Sequence, residues 1–421
     1  MIMVVLSNLK QVALVLTVIC YYSTGSVAAA ASAEKTLLRV MQYNIWGAGK
    51  NENKPVDDTV AVIRAVDADI VGMQETRAEN QDCLPGVGDS AAKAVADALG
   101  FYYYDQTHVM GYDPETYAIF DNAIISRYPI LNSTKEDIGV QIDVGAGRMV
   151  YVFNLHLPDY PYQPYQLMNI TYGEAPFLTT EEEAIDAANQ ARGKGMDRFY
   201  SDLKEVDEDD VVFIFGDFNE PSYLDWTEAA AEAGYHPMKV EYPTSKKLAD
   251  NGFVDALRQV FPDEVKDPKF SWPTLIYTEE PEEEPVKDRI DFIYVRGKGT
   301  EVIDAGIVGE DLSVADIVYE PWPSDHRAVV ATVSMRGGVQ SGDEESMLSM
   351  AKAEKKMSMK GGVHNSDMES MMSMAKAEKK MFTQDHEAKT KKAPVLHESK
   401  TENATPSSEA KASKMFKQKK E

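Results

Sequence analysis

The sequence predicts a mixed α/β domain over residues 35–335, followed by a tail, 338–421, that lacks the means to fold. Three observations carry this. Between residues 37 and 335, short β-branched and apolar runs alternate with helix-compatible stretches. Several of the apolar runs end in polar residues of one kind. Beyond about Gly337 the aromatic residues almost vanish and an internal repeat begins.

In chain order, strands are expected at 38–45, 69–74, 117–126, 149–155, 211–216, 289–295 and 328–334. Helices are expected at 57–67, at 89–99 before Gly100, at 180–205 and at 224–233. The long helix opens Thr180-Glu181-Glu182-Glu183, in which a hydroxyl and a carboxylate three residues on can satisfy each other's backbone N–H groups. Its Ala-rich, charged body has good helix propensity. Residues 158–178 crowd Pro158, Pro161 and Pro164 among Tyr160, Tyr162, Tyr165 and Tyr172, so an ordered loop without regular structure is expected. The acidic, Pro-broken stretch 277–288 reads as a solvated insertion.

The ends of the chain carry their own signals. Lys10, the apolar run Val12 to Tyr22 and the small residues Ala31-Ser32-Ala33 form the pattern of a secretory signal, cleaved after Ala33. The apolar run of about 11 residues falls short of the roughly 20 needed to span a bilayer, so no stable membrane insertion is expected. Sequons at Asn132, Asn169 and Asn403 fit passage through a secretory route. With Cys20 in the signal, the mature chain keeps only Cys83 and can form no internal disulfide. In the tail, ESMLSMAKAEKKM (Glu345 to Met357) returns 24 residues later as ESMMSMAKAEKKM (Glu369 to Met381). Two copies are too few for a stacking repeat fold, and the segment is expected to be disordered, either as a solvated linker or as a tether to an anionic matrix.

Charge narrows the partners. The formal net charge is −26, yet residues 341–421 hold 16 Lys against 13 Asp or Glu, which leaves 34–340 near −30. Such a surface repels polyanions, so the charge counts against a tight, non-specific DNA binder, and any nucleic-acid binding needs metal or local basic compensation.

The chemistry lies at the ends of the apolar runs. Val40-Met41-Gln42-Tyr43-Asn44, Ile70-Val71-Gly72-Met73-Gln74-Glu75, Val152-Phe153-Asn154-Leu155-His156 and Val212-Phe213-Ile214-Phe215-Gly216-Asp217-Phe218-Asn219 would bring Asn44, Glu75, His156, Asp217 and Asn219 to one sheet edge. Ser324-Asp325-His326, ahead of the last strand, can join them. Carboxylate and amide oxygens suit Mg²⁺ or Mn²⁺, and His supplies proton transfer, so the set implies metal-assisted displacement at phosphorus. Zinc is disfavoured, because the only histidines before the tail are His108, His156, His236 and His326, without Cys pairs or metal-ligand spacing.

Six motifs in order, YNIWG, MQET, NLHL, GDFNEPS, DRIDFIYV and PSDHRAVVA, span about 300 residues and resemble those of the endonuclease/exonuclease/phosphatase superfamily. The resemblance implies a four-layer α-β-β-α sandwich with two packed mixed sheets. It also implies roles. Glu75 is similar to the principal metal ligand and Asn44 to its neighbour, with Asp325 as a further ligand. Asp217 resembles the carboxylate that directs the attacking water, and Asn219 the residue that positions water and phosphate. His326 resembles the imidazole that stabilises phosphoryl oxygens or protonates the leaving group, with Asp291 fixing its tautomer. Arg148 occupies the place of an arginine that contacts phosphate. His156 favours the branches of deoxyribonucleases, sphingomyelinases and phosphatases over abasic-site repair enzymes. The Tyr expected before the G-x-A-I-x-S-R segment has no clear equivalent, since Tyr117 is out of register with Asp121-Asn122-Ala123-Ile124.

The function so implied is that of a secreted, monomeric phosphoesterase acting on nucleic acid or a small organic phosphate. The Pro/Tyr segment is then either a cover over the sandwich edge or a lid that stacks on an organic group of the substrate. The reading from another class is a matrix protein with an inert enzyme-like scaffold and a functional Lys-rich tail.

Overall fold

Alternation along the strands decides the layering. The computed structural model describes residues 35–77, 90–106, 121–275 and 286–336, and among these it forms thirteen strands. They are β1 (Thr36–Asn44), β2 (Ile70–Gln74), β3 (Tyr102–Asp105), β4 (Ala123–Ser126), β5 (Ile130–Ser133), β6 (Gly139–Asp143), β7 (Met149–His156), β8 (Val211–Asp217), β9 (Val254–Asp255), β10 (Asp291–Arg296), β11 (Thr300–Gly309), β12 (Ile317–Val318) and β13 (Ala328–Met335). The helices are α1 (Val56–Val66), α2 (Ala91–Leu99), α3 (Gln163–Leu167), α4 (Glu181–Leu203), α5 (Glu228–Glu232), α6 (Pro243–Asp250) and α7 (Ala256–Val260). The strands form two mixed sheets, ordered β12-β11-β13-β1-β2-β4-β3 and β5-β6-β7-β8-β10-β9.

Successive side chains of a strand face opposite ways. On β1, Leu38 and Val40 therefore face the second sheet while Met41 and Tyr43 face helices α1 and α2. On β8, Phe213 and Phe215 enter the core between the sheets, and Val212 and Ile214 pack outward on Met196, Phe199 and Leu203 of α4. The result is the expected α-β-β-α order of layers. Gly72 is required where β2 packs against the second sheet, because a Cβ there would lie 2.7 Å from the Phe215 ring and 2.8 Å from Asn154 Oδ1.

The seven expected strands are present, with trimmed ends: of the described residues 121–126 the strand takes those from Ala123, and 289–295 is a strand from Asp291. Six further strands escaped the sequence reading. β3 and β5 have four residues each, β9 and β12 two, and the first half of β11 is exposed on alternate and then consecutive positions, which blurs its period. Three expected helices match closely. Thr180 caps α4 reciprocally with Glu183, as its spacing predicted, whereas the helix expected at 224–233 is confined to α5, because residues 224–227 form the turn that buries Trp226. The Pro/Tyr segment is also corrected, since it contains α3, with Pro164 in the first turn where a missing N–H costs nothing. Residues 1–33, Cys83, 117–120, 277–285 and the tail lie outside the described residues.

Candidate active site

Register places the polar strand ends together. In the second sheet His156 of β7 is paired with Asp217 of β8, and Asp217 with Asp291 of β10. In the first sheet Asn44 of β1 lies opposite Gln74 of β2, so Glu75 emerges beside it. β13 runs antiparallel to β1, which delivers His326 to the same edge. Asn44, Glu75, His156, Asp217, Asp291 and His326 thus lie at one end of the sandwich.

The side chains converge. Asn44 Nδ2 donates to Glu75 Oε1 at 2.8 Å and to Asp217 Oδ2 at 3.0 Å. His326 Nε2 lies 3.6 Å from Asp217 Oδ2, while its Nδ1 is 2.9 Å from Asp291 Oδ2. His156 Nε2 lies 3.8 Å from Asp217 and 4.0 Å from Glu75. Asn219 donates its backbone N–H to Asp217 Oδ1 at 3.0 Å and its side-chain amide to Leu157 O at 3.0 Å. Of these residues, Glu75 at φ 52° and Asn219 at φ 47° adopt left-handed backbone. Such conformations cost about 1–3 kcal/mol in residues other than glycine and cluster at functional sites.

Burial sets the electrostatics. It raises the Asp217 pKa, with Asp291 adding to the rise and His326 opposing it. Asp325 is likewise raised by burial, and by Glu75 and Asp217. Burial disfavours the His326 cation, but Asp291, Asp217 and Asp325 outweigh it and hold the imidazole well above its ordinary value. His156 goes the other way, lowered by burial and by His326 against the pull of Glu75.

Glu75, Asp217 and His326 can each offer a ligand atom within 4.8 Å of the others. Asp325 stands outside this trio, and its buried Oδ1 has no hydrogen-bond partner. Mutually repelling carboxylates and an unpartnered carboxylate oxygen fit a hard divalent cation, which would offset the cost of burying them, whereas Asn44 turns its nitrogen to Glu75 and Asp217 and its oxygen to Trp46 N.

A model of the endonuclease/exonuclease/phosphatase family matches residues 41–326, a span that contains every one of these side chains. The chain belongs to the endonuclease/exonuclease/phosphatase family. An uncharacterized Caenorhabditis elegans protein, F14F9.5, is 27% identical over 337 residues, covering 76% of this chain and 96% of that protein. Among solved structures, the endonuclease/exonuclease/phosphatase from Beutenbergia cavernae is 18% identical, covering 71% of this chain and 72% of that one, with a TM-score of 0.42. The human nocturnin catalytic domain is 13% identical, covering 71% and 96%, with a TM-score of 0.39. Members of the family are phosphoester hydrolases that depend on a divalent metal.

Arg148 is not brought to the family site. It ends the turn that precedes β7, and its backbone oxygen accepts from Val144 N at 2.9 Å. His156 closes the opposite end of the same strand, eight steps of about 3.3 Å away. The phosphate contact inferred for Arg148 is corrected accordingly.

Several positioning residues were missed. Gln42 Nε2 donates to Asp291 Oδ1 at 2.7 Å and to Gln74 Oε1 at 2.8 Å, and Gln74 donates in turn to Asn154 Oδ1 at 2.6 Å. These buried amides tie the two sheets behind the site. Ser324 Oγ donates to Asn44 O at 2.7 Å, and Trp322 Nε1 to His326 O at 2.9 Å. The available signal was an amide inside each apolar run, as in VMQYN, GMQE and FNLH, since buried amides are retained where partners exist.

Proposed function

We propose that this chain is an exported, divalent-metal-dependent phosphoesterase that cleaves P–O ester bonds by in-line attack of water. The observation that carries the proposal is the convergence of Glu75, Asp217 and His326 within 4.8 Å, backed by the 2.9 Å bond from Asp291 to His326. A cation bound at Glu75 and Asp325, with Asn44 holding Glu75 through its Nδ2, would neutralise phosphoryl charge and polarise the ester. Asp217 accepts the proton of the attacking water or orients it. Asn219, fixed to Asp217 through its own N–H, orients water and phosphate. His326, cationic through its three acidic neighbours, stabilises the phosphoryl oxygens and has a proton for the leaving oxygen. His156 donates a hydrogen bond to the same oxygens.

The charge near −30 over residues 34–340 favours a small organic phosphate over a long polyanion, and the chain acts as a monomer on this reading. The competing reading of an inert scaffold expects a broken constellation, and here each position is filled. Purified protein assayed on bis(4-nitrophenyl) phosphate, 4-nitrophenyl phosphate and DNA tests the proposal. Turnover with Mg²⁺ or Mn²⁺ and none in chelator is the expected result. Full activity in excess chelator overturns the metal assignment, and no turnover of any ester overturns the enzyme.

A further inference from the structure

Arg192 lies in the middle of α4 with no exposed surface. A guanidinium is tolerated there only where acceptors surround it. Its acceptors come from two segments that leave neighbouring strands. One terminal nitrogen donates to Gln163 Oε1 at 2.6 Å. The other donates to the backbone oxygen of Asn219 and, at 3.4 Å, to that of Pro161. Burial lowers the arginine's pKa, and the buried carboxylate of Glu220, next to Asn219, opposes that shift.

The two segments matter because of where they start. Pro161 and Gln163 follow His156 at the end of β7, while Asn219 follows Asp217 at the end of β8. Asn219 is held in a left-handed conformation, its N–H on Asp217, its side-chain amide on Leu157 O and its carbonyl on Arg192. Leu157 O already ties Asn219 to the start of the segment after His156, and the guanidinium adds a second tie further along it, at Pro161 and Gln163. Its planar fork holds both segments in one fixed geometry, whereas an ammonium offers three rotatable donors on a flexible stem and fixes neither direction.

We propose that Arg192 is a positioning residue for hydrolysis, which sets the place of Asn219 relative to Asp217 by clasping both segments from beneath. The inference rests on the role given to Asn219 under the proposed function.

The test uses the full chain with bis(4-nitrophenyl) phosphate at saturating Mg²⁺, reading kcat, KM and thermal midpoint for Arg192→Lys, Asn219→Ala and the double variant. Misplacing a group beside the reacting atoms by about 1 Å costs about 10²-fold. Arg192→Lys is therefore expected to lose 10- to 100-fold in kcat with KM nearly unchanged. In the Asn219→Ala background the same change is expected to cost less than about two-fold, as for residues acting through one another. If Arg192→Lys fails to fold, Gln163→Met removes the acceptor that fixes the guanidinium plane, and the same cycle is run with it. A lowered midpoint with normal kcat, or losses that multiply in the double variant, overturns the clasp alone. Full kcat in Asn219→Ala overturns the role of Asn219 and the clasp with it.

Discussion

His326 and Asp291 form one unit: the Nδ1–H of the imidazole donates to Asp291 Oδ2 at 2.9 Å, and the other oxygen of that carboxylate accepts from Gln42 at 2.7 Å. Both residues are buried, so the ring is held by its partners and leaves Nε2 towards Asp217. A carboxylate in this position fixes the tautomer and raises the basicity of its histidine.

From this pair follows a non-additive loss. His326→Ala is expected to lower kcat by about 10²–10³-fold, the usual cost of one donor to developing charge. Asp291→Asn is expected to reproduce part of it. The double variant should be little worse than His326→Ala alone. Losses that multiply would show that Asp291 does not serve His326.

Asp217 should be needed for turnover and not for stability. Burial penalises its charge, so Asp217→Asn removes an unfavourable ion and keeps an oxygen for the Asn219 N–H, which offsets the loss of the bond from Asn44 at the other atom. The expected outcome is a rate loss of at least about 10²-fold with a metal-free thermal midpoint equal to or above that of the unaltered protein. A clearly lower midpoint would contradict the electrostatic account.

Most of the site was legible because it uses residue types that are unusual where they stand. Glu75, Asp217 and His326 end or flank apolar runs, and neither packing nor turn chemistry asks for all of them. Arg148 misled because it lies near the NLHL strand in sequence, yet a strand moves about 3.3 Å per residue away from whatever it precedes. Gln42, Gln74 and Asn154 were hidden by the opposite effect. They sit within apolar strands, and only the close stacking of two sheets shows that each finds a partner on another strand. Arg192 was hidden by its helix, whose charged sequence gives no hint of which face is buried. In the fold, long strands were plain, and β3, β5, β9 and β12 are too short to show a period.

Backbone strain gives a prediction with an unusual sign. Glu75 holds φ 52°, where a Cβ costs about 1–2 kcal/mol. Glu75→Gly is expected to be more stable than Glu75→Ala by about 1 kcal/mol, the reverse of the ordinary order outside left-handed backbone. Both should be inactive. Thermal unfolding in chelator decides it, and an alanine variant as stable as the glycine one would show that the strain is absent in solution.

Metal binding should register without catalysis. A ligand that binds the folded chain alone at about 100 times its Kd stabilises by roughly 2.7 kcal/mol. Mg²⁺ or Mn²⁺ is therefore expected to raise the midpoint of the unaltered protein by several degrees and to leave Glu75→Gly nearly unmoved. Equal shifts in both proteins would place the cation elsewhere.

The last prediction concerns Asp288, three residues before Asp291 and outside the proposed chemistry. Its carboxylate accepts from Tyr162 OH at 2.6 Å and from Trp226 Nε1 at 2.9 Å, pinning the Pro/Tyr segment to the turn at Trp226. Burial pushes it up to about 6 against the lowering effect of those two donors. Raised above its unfolded value, the group contributes stability that is fully present below about pH 4 and is lost as pH rises through about 6. Asp288→Asn cannot ionise, and its amide can accept from Trp226 and donate to the tyrosine oxygen. The stability advantage of the unaltered protein over Asp288→Asn should thus shrink by roughly 2–3 kcal/mol between about pH 4 and pH 7. Denaturant unfolding of both proteins across that range checks it. A difference that is flat, or that grows with pH, would mean that Asp288 is ionised throughout and that the Tyr162 and Trp226 bonds overcome its burial.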